Sequence, residues 1–105
     1  MKEKIYTLDF TKVSHFLEVH YIIKNSLGFP EYYGNNWSAF WDCLHDMDGY
    51  PMRIKIIGLE KLRHSYSDMA EKLIEILTKF KYRYPTLTDK ITVEIVREDG
   101  ERELL

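Results

Sequence analysis

Three short β-rich runs, each separated from the next by a long stretch with helical periodicity, constrain this chain more than any other feature of its sequence. The runs are Ile5 to Phe10, Met52 to Ile57 and Ile91 to Val96. Strands joined through helical segments pair in parallel, with right-handed crossovers. In the first gap, apolar Phe16, Val19, Ile23 and Leu27 recur at helical spacing from Ser14 onward, and Gly28 supplies the stop. Pro30 and Gly34 mark a loop, and Asn36 is a helix N-cap. A second helix then places Trp37, Phe40, Cys43, Leu44 and Met47 on one arc with Trp41 at its border, and Ser38, Asp42, His45 and Asp46 on the other. Asp48-Gly49 ends it. In the second gap, a short helix over Leu59 to His64 precedes a longer one from about Ser67. The apolar positions of the longer helix are Met69, Leu73, Ile76, Leu77, Phe80 and Tyr84, and Pro85 stops it. The predicted order is β-α-α-β-α-α-β.

The second and third runs alternate: Met52, Ile54 and Ile56 against Arg53 and Lys55, then Ile91, Val93 and Ile95 against Thr92 and Glu94. Alternation means that one face of the sheet is covered and the other is not, so the helices belong mainly on one side. With 105 residues, 45% of them apolar, there is material for one core and too little chain for two, so residues 1–105 read as a single α/β domain. Beyond Val96 the sequence is polar. Asp99-Gly100 is a hairpin signal, but its charged flanks make residues 97–105 a charged tail. The one cysteine, Cys43, cannot form an internal disulfide, which points to a reducing, cytoplasmic setting. Neither a secretory leader nor a membrane span of ~20 apolar residues is expected.

Fifteen Lys and Arg against seventeen Asp and Glu leave a formal charge of -2, which disfavours a globally basic nucleic-acid binder. Charge placement is more informative. From Asn25 to Met52 there are four carboxylates, Glu31, Asp42, Asp46 and Asp48, and no Lys or Arg. The same window holds Tyr32, Tyr33, Trp37, Phe40, Trp41 and Tyr50. Carboxylates among aromatics suit a surface for a basic, concave partner; the plainer alternative is that the aromatics are core and the carboxylates solubilise the outer arc.

The stretch Pro30-Glu31-Tyr32-Tyr33-Gly34-Asn35-Asn36-Trp37-Ser38-Ala39-Phe40-Trp41-Asp42-Cys43-Leu44 resembles the signature loop and helix of the barstar family, small intracellular inhibitors of secreted bacterial ribonucleases. The resemblance extends over roughly residues 4 to 96, most closely from Phe29 to Leu44. It implies a three-stranded parallel sheet with helices packed against it. It also implies an antitoxin or immunity-type inhibitor that blocks an enzyme active site without chemistry of its own. Tyr32, Tyr33, Gly34, Asn36, Ser38, Ala39, Trp41, Asp42, His45 and Asp46 would form the contact surface. By that resemblance, Asp42 stands where a substrate phosphate would bind, and Tyr32 packs on the catalytic histidine. The implied partner is a basic ribonuclease or ribonuclease-like toxin, with the inhibitor a monomer that needs no cofactor, metal, nucleic acid or membrane. Two departures stand out. Family members commonly carry an acidic residue where this chain has Ser38, and the best-studied inhibitor adds carboxylates where this chain has Lys79 and Arg83.

Other candidates carry weaker signals. His15, His20, His45 and His64 show no H-E-x-x-H pattern and no i, i+4 pair, although His45 lies near Asp42 and Asp46 on the second helix. Cys43 falls on the apolar arc and reads as a structural thiol. Lys79, Lys81 and Arg83, interleaved with Phe80, Tyr82 and Tyr84, resemble a short nucleic-acid patch, but cations in a last helical turn also complement the helix dipole. Three readings compete: a ribonuclease inhibitor, a hydrolase built on the carboxylates and His45, and an interaction module of the same fold with a different partner.

Overall fold

Alternation in the strands gives the sheet two unlike faces, and the computed structural model, which describes residues 3–47 and 49–105, shows the helices on one of them. In chain order the elements are β1 (Lys4–Asp9), α1 (Leu17–Leu27), α2 (Trp37–Asp46), β2 (Met52–Ile57), α3 (Leu59–Ser65), α4 (Ser67–Tyr82), a 3-10 turn (Thr88–Lys90), β3 (Ile91–Val96) and β4 (Arg102–Leu104). Asp48, part of the expected helix stop and of the acidic window, lies outside the described residues.

Register explains the core. β1 pairs with β2 and β2 with β3 in parallel, aligning Leu8 with Ile56 and Ile95, Tyr6 with Ile54 and Val93, and Lys4 with Met52 and Ile91. These rows face Val19 and Ile23 of α1, Phe40 and Leu44 of α2, Leu59 and Leu62 of α3, and Leu73, Leu77 and Phe80 of α4, all buried. Burying each such side chain is worth ~1.5–3 kcal/mol. The opposite face presents Ile5, Arg53 and Thr92 in one row and Thr7, Lys55, Glu94 and Leu104 in the next.

The sheet is not the three-stranded parallel one expected. A fourth strand, β4, folds back antiparallel onto β3 and pairs Val96 with Arg102, Ile95 with Glu103 and Glu94 with Leu104. Residues 97–105 are therefore not a tail. Asp99-Gly100 makes the turn, in which the Arg97 amide donates to Glu101 O, the Gly100 amide donates to Arg97 O and the Glu101 amide donates to Asp99 Oδ1. The charged flanks that argued against a hairpin hold it together, because Arg97 pairs with Glu103 and Arg102 reaches Glu94. Glu94 is only 3% exposed although it lies on the outer face, with Oε1 3.4 Å from both Arg53 and Arg102. Burying a carboxylate is costly without such partners.

Two helix ends also differ from expectation. α1 begins at Leu17, and Phe16 is exposed beside the His15 ring. Ser14 precedes the helix and donates from both N–H and Oγ to the Glu18 carboxylate at 3.0 Å. α4 ends at Tyr82, which leaves Tyr84 exposed outside the core stripe.

Two glycines at positive φ separate backbone strain from crowding. At Gly58 (φ +80°), the left-handed residue between β2 and α3, an added Cβ would lie 2.6 Å from the Thr11 amide nitrogen, whereas at Gly100 (φ +88°) it would meet nothing within 4 Å. We expect Gly100→Ala to cost roughly 1–2 kcal/mol, the left-handed penalty alone. Gly58→Ala should cost ~3 kcal/mol or more, because backbone must also move. Urea unfolding of the two variants measures the difference; equal costs would show that the β2–α3 junction yields to the added methyl.

Candidate functional site

The loop between α1 and α2 is held from beneath. Tyr33 points inward, 6% exposed, with its hydroxyl 2.7 Å from Nδ1 of buried His20 and its ring 5.2 Å from Phe29. The His20 ring also packs on Trp37 at 4.4 Å. Burial holds the His20 pKa below its ordinary value and pushes the Tyr33 phenol well up, so both are neutral and the buried hydrogen bond joins two uncharged groups. The neighbouring Tyr32 is turned the other way and is 82% exposed. Glu31 pairs with Lys24 at 3.0 Å on the outer side of the loop, a solvent-exposed bond of little energetic weight.

Asn36 starts α2 as the sequence predicts. Its side chain accepts from the Ala39 amide at 2.8 Å and donates to Gly34 O at 3.1 Å, so one residue both caps the helix and closes the loop. Half-buried Ala39 and exposed Gly34 contribute backbone to this arrangement. Phe40, Cys43 and Leu44 turn into the core, and Ser38, Asp42 and Asp46 face solvent. Among the described residues, neither Asp42 nor Asp46 has an ion-pair partner.

A cleft of about 400 Å³ separates α2 from α4. Trp37, Ser38, Trp41 and Asp42 form one wall, and Lys72, Glu75, Ile76 and Lys79 form the other. His45 does not line it but stacks behind Trp41, half-buried between Trp41 (4.3 Å), Phe80 (5.4 Å) and Tyr84 (6.0 Å). Its Nδ1 is 2.8 Å from Trp41 O, and because a carbonyl only accepts, Nδ1 carries the proton. The ring thus props Trp41 against α4. Asp46 is not in this cleft; it borders a separate depression with Gly28, Phe29 and Cys43.

Of the ten residues named from sequence, Ser38, Trp41 and Asp42 share the cleft and His45 supports it. Tyr32 and Gly34 lie on the adjoining loop, and the Tyr33 side chain faces inward, where it positions the loop. Of the α4 wall, the sequence singled out Lys79 but not Lys72 or Glu75, nor that this helix faces α2. The wall's signal was present in the helical spacing of Lys72, Glu75, Ile76 and Lys79, but nothing local says which helix that stripe faces. Glu75 accepts from Lys79 at 3.0 Å and lies 3.8 Å from Lys72, and the Lys79 hydrogen bond leads in holding its carboxyl below the usual range.

The arrangement offers a partner an unpaired carboxylate beside the two tryptophans of the α2 wall, suited to charge-assisted hydrogen bonds from a guanidinium or ammonium group. Burial, followed by Asp46 and Asp42, pushes the Cys43 thiol up, so it is no nucleophile. His15, His20, His45 and His64 do not converge, and among the described residues no group of three or more His, Cys, Asp or Glu could hold a metal ion. No helix among them is long and apolar enough to cross a membrane.

The His20–Tyr33 pair predicts an acid dependence of stability. An unfolded chain protonates this histidine near pH 6.5, whereas the folded site resists, so its contribution is complete above about pH 6.5 and is lost as pH falls through the depressed folded value. Asp9, Glu18 and Glu75, all held below their ordinary values, add their own loss only below about pH 4.5. Thermal melts between pH 7.5 and 5 should therefore fall for the native chain and flatten for His20→Phe; equal slopes would remove His20 as the source.

Comparison with known proteins identifies the family. A family model described as "Barstar (barnase inhibitor)" matches residues 3–96. A Bacillus subtilis (strain 168) protein named "Putative ribonuclease inhibitor YrdF" is 30% identical over 59 residues, 56% of this chain and 65% of that protein, so the match spans less than two thirds of the relative. With one continuous match running from the start of β1 to the end of β3 and including the loop and both walls of the cleft, the chain belongs to the barstar family.

Proposed function

We propose that this chain is a ribonuclease inhibitor of the antitoxin or immunity type, which docks its 28–36 loop and the exposed arc of α2 into the enzyme's active site. The observation that carries the reading is Asp42, an exposed carboxylate with no ion pair among the described residues, lining a cleft beside Trp37 and Trp41. A ribonuclease grips phosphate with cations, and a carboxylate held at the same place competes for them. Tyr32, already extended into solvent, would cover the catalytic groups beside that phosphate position, and Gly34 and Asn36 would present loop backbone. Family membership supports inhibition by occupancy, and the named relative, a ribonuclease inhibitor by its description, points the same way. Binding rather than turnover is the expected activity. An interaction module with a partner other than a ribonuclease is the competing reading.

Asp42→Ala should weaken binding to the target ribonuclease by well over ~2 kcal/mol and leave folding stability nearly unchanged, because it strands desolvated cations on the enzyme. The size of this effect is carried over from the family aspartate that Asp42 matches. Inhibition assays and surface plasmon resonance against the cognate ribonuclease measure it. Undiminished binding would transfer the contact to another face and favour the competing reading. The purified protein should also show no nuclease activity of its own; turnover that disappears on His45→Ala would establish an enzyme instead.

A further inference from the structure

Whatever closes over Asp42 also meets α4, because the two helices form opposite walls of one cleft. The charges on those walls differ in sign. α2 carries Asp42 and Asp46 and no Lys or Arg, whereas Lys72, Glu75, Lys79 and Arg83 follow one another at helical spacing along α4 and its cap. The single carboxylate of this row is shared by two ammonium groups, at 3.0 and 3.8 Å, so the row remains positive. Arg83 lies over the Tyr84 ring and, among the described residues, has no carboxylate partner. Tyr84 in turn abuts His45, whose ring packs on Trp41 of the cleft wall.

Helix-end cations have a structural use, but here Lys81 performs it, donating to Thr88 O and Ile91 O. Lys79 and Arg83 instead face solvent. RNA would find phosphate partners in this row and carboxylate repulsion from Asp42 on the opposite wall of the cleft.

We propose that the Lys72–Lys79–Arg83 row is a specificity determinant, selecting a ribonuclease whose phosphate-binding centre is cationic and whose adjoining flank is acidic. The inference rests on the proposed function and deepens it by naming the charge pattern of the partner. An enzyme with a cationic flank meets like charge at α4 and is rejected even where its centre fits Asp42.

Barnase is the probe, because carboxylates stand at the Lys79 and Arg83 positions in the best-studied inhibitor of the family. Surface plasmon resonance at low and high salt would compare the native chain, Lys79→Glu/Arg83→Glu, the neutral Lys79→Gln/Arg83→Gln, and Asp42→Ala in the charge-reversed background, with thermal melts to check folding. The reversed chain should bind barnase about tenfold more tightly with a steeper salt dependence, and the neutral variant should fall between. Unchanged or weaker binding after reversal, with Asp42→Ala still damaging, overturns the role of the row and leaves the Asp42 face standing. No loss from Asp42→Ala in a reversed chain that binds removes the proposed function itself. If neither the native nor the reversed chain binds, the row is not what excludes barnase and the inference fails. Binding of a fluorescent single-stranded RNA that reversal abolishes would replace the acidic flank with nucleic acid.

Discussion

Parallel pairing is the constraint on which the rest of the molecule depends. An antiparallel neighbour can be reached through a short turn, as β4 is through residues 97–101, but β1, β2 and β3 are connected only by crossing over a face of the sheet. Both crossovers lie on the face that carries Leu8, Ile54, Ile56 and Val93. Helices belonging to different crossovers therefore become neighbours, and α2 and α4 meet along the cleft that holds Asp42. No residue in either helix asks for this meeting. It follows from burying one face of an alternating sheet.

Polar groups divide accordingly between those that hold the fold and those available to a partner. Two buried polar groups hold the fold through a partner: the Tyr33 hydroxyl on His20, and Oε1 of the Glu94 carboxylate beside Arg53 and Arg102. Losing one member of such a pair leaves the other desolvated and alone, so these contacts secure the loop and the fourth strand against movement. Asp42 and Asp46 are different. Fully hydrated carboxylates on a helix arc cost the fold little, and they gain much only when a cation displaces that water. A surface of this kind carries binding capacity without drawing on stability, which is small in any protein of this size.

Local rules made most of the loop and α2 legible. Asn36 as the cap, Pro30 and Gly34 as loop residues, and the division of α2 into Phe40, Cys43 and Leu44 against Ser38, Asp42 and Asp46 all depend on neighbours within a turn or two. The misreadings share one cause. β4 shows no apolar alternation because Arg102, Glu103 and Leu104 are all exposed, and its partners, Glu94 and Arg97, lie in and just after β3. Tyr84 continues the apolar spacing of α4 but lies past the point where the helix ends. Tyr32 and Tyr33 are adjacent, identical residues. What sends one outward and the other onto His20 is a helix thirteen residues away in sequence.

By itself the sequence determined the β-α-α-β-α-α-β succession up to β3, the two faces of β2 and β3, the capped start of α2 and the acidic, aromatic character of the Asn25–Met52 window, because propensity, periodicity and capping act over a few residues. Only the tertiary structure decided that Tyr33 anchors the loop while Tyr32 is displayed, that a charged segment closes the sheet as a fourth strand, and that Lys72, Glu75 and Lys79 share a cleft with Asp42. Each of these is a meeting of residues from separate elements. The energy that brings them together is the burial of the common core, a quantity that no single segment contains.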